Sequence, residues 1–97
     1  MDYYSFQYTL DMGHPPVDFS EGLKALWWDA KGEWDTAHKI VQDLNDQEAA
    51  WVHAYLHRKE GDESNASYWY GNAGKEKPDL SIHDEFQEIV SALLTDY

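Results

Sequence analysis

The chain has 97 residues, with seven Lys and Arg against nineteen Asp and Glu, a formal charge of −12, and no cysteine. Such a charge repels phosphate backbones and anionic lipid surfaces and removes the counterion release that nucleic-acid binders rely on, so no nucleic acid and no membrane is expected as a partner. The missing cysteine excludes disulfides, thiolate metal sites and a cysteine nucleophile, while 42% hydrophobic and 15% aromatic residues suffice to order one domain of this length.

The first residues alternate. Tyr4, Phe6, Tyr8 and Leu10 are interleaved with Ser5, Gln7 and Thr9 before Gly13, His14, Pro15 and Pro16 interrupt any regular element. Period two argues for an extended segment. With no second strand-like run to pair with it, residues 1–17 read as an aromatic N-terminal arm lying on the helical body or on a partner. Residues 18–97 then form a single helical domain.

From Asp18 onward the pattern is helical. Asp18 and Glu21 have the form of a capping box, and Phe19, Leu23, Leu26, Trp27 and Ala30 recur at three- and four-residue spacing until Gly32. Glu33 and Trp34 open a second, short helix whose face is Ala37, Ile40, Val41 and Leu44, and Asn45 with Glu48 offers the cap of the third. That helix runs from about Asp46 to Glu60 and ends at Gly61. Asp62 caps a fourth, which extends to Asn72 or Ala73 before Gly74. Ser81, with Asp84 three residues on, starts a final helix carrying the stripe Ile82, Phe86, Ile89, Val90, Leu93 and Leu94. No run approaches the roughly 18 apolar residues of a membrane span, and the first twenty residues have neither the basic start nor the apolar stretch of a signal peptide. A cytoplasmic location is expected.

The chain repeats itself. Gly32 and Gly61 stand 29 residues apart, and at that offset Glu33 meets Asp62, Ala37 meets Ala66 and Ala25 meets Ala54. The turn Gly32-Glu33-Trp34-x-x-Ala37, repeated as Gly61-Asp62 through Ala66, resembles the Gly-Asp-Tyr-x-x-Ala turn of tetratricopeptide repeats, and Ala66-x-x-Trp69-Tyr70-x-x-Ala73 is similar to the second helix of the short-repeat subclass. A narrower resemblance lies in Trp51, His53, Ala54, His57, Arg58, Glu60, Asp62, Asn65, Ala66, Tyr68 and Trp69, a string similar to that of small stand-alone helical proteins from bacteria with no established activity. The resemblance implies an all-α fold of two antiparallel helix hairpins. Since two repeats fall short of the three or so that a stable stack needs, the last helix is expected to cap the core. The small residues have a physical task, because Ala25, Ala54, Ala37 and Ala66 let paired backbones approach closely.

The densest polar chemistry is on the third helix. His53 and His57, four apart, stack on one face, with Glu60 one turn further on, and this is metal-ligand spacing. The Glu that follows the first His in metalloproteases is replaced by Ala54, so a peptidase is not indicated; Glu60, Asp62 or His83 could complete a site. A purely structural reading stands beside it. There the two histidines face inward, satisfied by Asn65, Glu60 or backbone groups. Arg58, the only arginine, could clamp an anionic ligand beside His57 or form an ion pair with an acidic neighbour. The five tryptophans read as core, at least three of them buried, while Tyr68 and Tyr70 flank Trp69 and cannot all face inward.

Candidate ligand-binding residues are therefore His53, His57, Arg58, Glu60, Asn65 and Tyr68, and the candidate metal set is His53, His57 and Glu60. No catalytic residue is assigned and no cofactor is expected, since no phosphate-cradling glycine loop or serine–histidine arrangement occurs. The expected function is that of a small acidic binding or interaction module whose partner is another protein or a second copy. The alternative is a metal- or small-ligand-binding protein or enzyme built on His53, His57 and Glu60.

Overall fold

The computed structural model describes residues 1–95 and contains six helices: α1 (Tyr3–Thr9), α2 (Glu21–Ala30), α3 (Trp34–Val41), α4 (Gln47–Glu60), α5 (Glu63–Ala73) and α6 (Ile82–Thr95). The protein is all-α, with no strand among the described residues. Local side-chain chemistry sets most of the helix starts. Asp46 accepts from the Ala49 amide at 3.2 Å, Asp62 from Asn65 at 3.2 Å and Ser81 from Asp84 at 3.0 Å, each satisfying one of the amides a helix start leaves unpaired. At the turns between α2 and α3 and between α4 and α5, Gly32 and Gly61 hold φ of 84° and 89°, a left-handed conformation that a Cβ would strain.

Helix α2 packs on α3 and α4 on α5, while α6 lies across α2 and α4. Ala25, Ala37, Ala54 and Ala66 are all buried, as close approach of paired helices requires. Leu23, Leu26, Trp27, Val52, Leu56, Ile89 and Val90 fill the centre. Trp27 and Trp51 are buried, whereas Trp28, Trp34 and Trp69 are half-buried against the core, so two tryptophans are buried rather than the three expected.

Three boundaries differ from the sequence reading. The extended arm is a helix over Tyr3–Thr9: Asp2 caps it by accepting from the Ser5 amide at 2.8 Å, and Tyr3 and Phe6, three apart, are buried while Tyr4 and Tyr8 face solvent. Phe6 stacks on Phe19 at 5.9 Å and meets Phe86 edge-on at 6.1 Å, so tertiary burial of the three-residue spacing prevails over the two-residue alternation. Thr9 accepts from the Trp27 indole at 3.1 Å, which ties the end of α1 to α2. Second, Ser20 rather than Asp18 caps α2, because a turn closed by the Phe19 amide on the Pro16 carbonyl occupies the preceding residues. Third, the cap of α4 is Asp46 rather than Asn45.

Candidate functional site

Helices α3, α4 and α5 meet around three histidines. His53 and His57 lie one turn apart on α4, buried, with ring centroids 4.8 Å apart. Helix α3 brings His38 against both: its Nε2 lies 3.0 Å from His53 Nε2, and its ring centre lies 5.2 Å from that of His57. One ligand nitrogen from each of the three falls within 4.8 Å of the other two. Tryptophans close two sides, Trp34 stacked on His38 at 5.0 Å and Trp69 on His53 at 4.0 Å. The Trp34 indole donates to the Leu56 carbonyl at 2.9 Å, which anchors this wall to α4.

Burial keeps His53 and His38 uncharged. Burial, then the neighbouring His38 and His57, push His53 down to about 4. His38 is lowered by burial first and by His57 second. Both are therefore neutral imidazoles at pH 7, and in the contact between their Nε2 atoms one ring donates while the other accepts. His57 Nδ1 lies 2.7 Å from Glu60 Oε2, so Nδ1 donates to the carboxylate and the ring's other nitrogen, Nε2, is the one left to face a ligand. His53 Nδ1 is fully buried with no hydrogen-bond partner. The partners proposed for the inward-facing histidines therefore reach only His57, through Glu60.

The remaining candidates are arranged differently. Glu60 and Asp62 join His57 in a second group whose ligand atoms lie within 4.8 Å of one another. Asn65 donates to Asp62 at 2.7 Å at the exposed start of α5. Tyr68 is exposed and meets the Trp69 ring edge-on at 5.1 Å. Arg58 turns away to another face of α4, donating from Nη1 to Glu85 at 2.9 Å and from Nη2 to the Leu80 carbonyl. Glu85 is wholly buried and its other oxygen accepts from the Tyr70 hydroxyl at 2.6 Å, so Arg58 is committed to a core ion pair. Burial and the Glu85 hydrogen bond push the Tyr70 hydroxyl well above the ordinary phenol range and keep it a donor.

The structure thus brings His53, His57 and Glu60 together and adds His38, which the sequence did not single out. The available signal was the four-residue spacing of Trp34 and His38 on α3, and it indicates a shared helix face but nothing about the facing helix. No family model, curated protein or solved structure matches the chain. No helix among the described residues is long and apolar enough to cross a membrane.

Proposed function

We propose that this protein is a small helical binding module whose bound species is a divalent transition-metal ion of the zinc class, held by His38, His53 and His57. The observation that carries the reading is the convergence of three imidazoles from two helices, His53 and His57 buried and His38 half-buried, with ligand nitrogens within 4.8 Å of one another. Imidazole suits zinc, copper and nickel, and three protein ligands leave the fourth position of a tetrahedral ion for water or a small ligand. Neutral rings support it further, because uncharged His53 and His38 bind a metal at pH 7 with no net loss of a proton, only a tautomer that presents a lone pair. Glu60 would act as the outer carboxylate that orients His57, a common arrangement around ligating histidines. The left-handed glycine turns at Gly32 and Gly61, with small alanines between the paired helices, support assigning the two helix pairs to the tetratricopeptide class.

The test is calorimetric titration of zinc into the untagged, chelator-treated chain, with cobalt absorption to report coordination. One equivalent should bind with a dissociation constant of about 1 μM or tighter, corresponding to about −8 kcal/mol. His38→Ala and His53→Ala should each weaken binding on the order of 100-fold or more, while His14→Ala should not. Binding weaker than micromolar, or a His38→Ala protein that binds as wild type, rules out the site.

A further inference from the structure

The α4 face opposite the histidines carries a second polar cluster. Tyr55 and Lys59, four residues apart, turn toward Asp29 of α2, and Lys59 Nζ lies 3.1 Å from both carboxylate oxygens. Asp29 and Tyr55 are buried. Burial pushes the Tyr55 hydroxyl far above the phenol range, helped by the Asp29 charge and a hydrogen bond to it, so this group stays a donor. These three residues line a cavity of about 490 Å³, whose apolar walls include Tyr3, Phe86, Ile82 and Leu10. Its size and its mixture of aromatic walls with a few convergent polar groups are those of small-molecule sites.

The charges in the cavity select the ligand. Lys59 cancels Asp29, but an ammonium has three protons, and the Lys59 side chain is 40% exposed. Gln7 and His83, both exposed, also line the cavity and make no side-chain hydrogen bond to another described residue. Lys59 offers donors alone, while Gln7 and His83 each offer a donor beside an acceptor, all set beside aromatic and aliphatic walls. A cationic ligand would have to displace Lys59, a tethered competitor, from Asp29. A polyphosphate would face a chain of net charge −12 with a single ammonium to meet it.

We infer that this cavity binds a small amphipathic monocarboxylate, its apolar or aromatic body against Tyr3 and Phe86 and its carboxylate on Lys59, with Gln7 and His83 as further donors. The site is separate from the histidine cluster and does not depend on the metal reading.

Titration of the full chain with phenylacetate and octanoate, followed by calorimetry and amide chemical shifts, tests it. Saturable binding at about 1 mM or tighter is expected, with shifts at Gln7, Lys59 and His83. Phenylacetamide and phenethylamine should bind at least about ten-fold more weakly. Because Lys59→Met alone strands the Asp29 carboxylate, the paired variant Asp29→Asn/Lys59→Met keeps the cavity neutral and should lose acid binding at least about ten-fold. His53→Ala should leave it unchanged. No saturation by either acid, equal binding of the amide or amine, or full binding by the paired variant overturns the inference.

Discussion

Glu85 on α6 provides a quantitative test of how this fold treats buried charge. Its carboxylate is wholly buried, with one oxygen 2.9 Å from Arg58 Nη1 and the other 2.6 Å from the Tyr70 hydroxyl. The Arg58 side chain is only 12% exposed, so removing Glu85 leaves a guanidinium with little water to solvate it. Stranding a buried partner in this way costs about 3–5 kcal/mol, and an orphaned hydroxyl contributes roughly 1 kcal/mol of that. A domain of this length has a total stability of about 5–15 kcal/mol. Glu85→Ala should therefore cost about 4 kcal/mol in urea unfolding followed by far-UV circular dichroism. Arg58→Met should cost a comparable amount, because it strands the carboxylate instead. Replacing all three partners, as Arg58→Met/Tyr70→Phe/Glu85→Leu, should fall within about 1 kcal/mol of wild type, since no charge is then left unpaired. A cost below about 1 kcal/mol for Glu85→Ala would refute the reasoning, as would single-variant costs that simply add in the triple variant.

Two further outcomes follow from the same geometry. His53 has a folded pKa of about 4 against an ordinary value of about 6.5, so the unfolded chain binds its proton first; the stability this group confers is full above about 6.5 and is lost as pH falls toward 4. The depression corresponds to roughly 3 kcal/mol, and His53→Phe should remove about that much of the acid sensitivity measured by urea unfolding in chelator between pH 7 and pH 4; equal acid losses in the two proteins would disprove it. Phe6 has no exposed surface and joins Phe19 and Phe86, so Phe6→Ala should destabilise the fold by about 3–5 kcal/mol; a loss under about 1 kcal/mol would mean that α1 is not integral to the core.

What was legible in the sequence is what short-range chemistry decides. The caps at Asp62 and Ser81 and the left-handed turns at Gly32 and Gly61 involve groups within a few residues of one another, and their patterns are visible in the chain itself. The repeat likewise accounts for Ala25, Ala37, Ala54 and Ala66, whose burial follows from helix pairing. The first helix was not legible in this way. Tyr4, Phe6, Tyr8 and Leu10 mimic a strand, and only the aromatic surface of Phe19 and Phe86 selects Tyr3 and Phe6 as the buried pair.

The site divides along the same line. Sequence alone determined that His53 and His57 share a face of α4 with Glu60 near, because helical periodicity places residues three and four apart side by side. It could not determine that His38, fifteen residues before His53, faces them from α3, nor that Arg58, next to His57, is drawn into the core by Glu85 twenty-seven residues later. Those partners are chosen by how the helices pack. A helix dictates which of its own side chains align, but which foreign side chain meets that row depends on the packing of the whole domain, and here that packing turned two histidines into three.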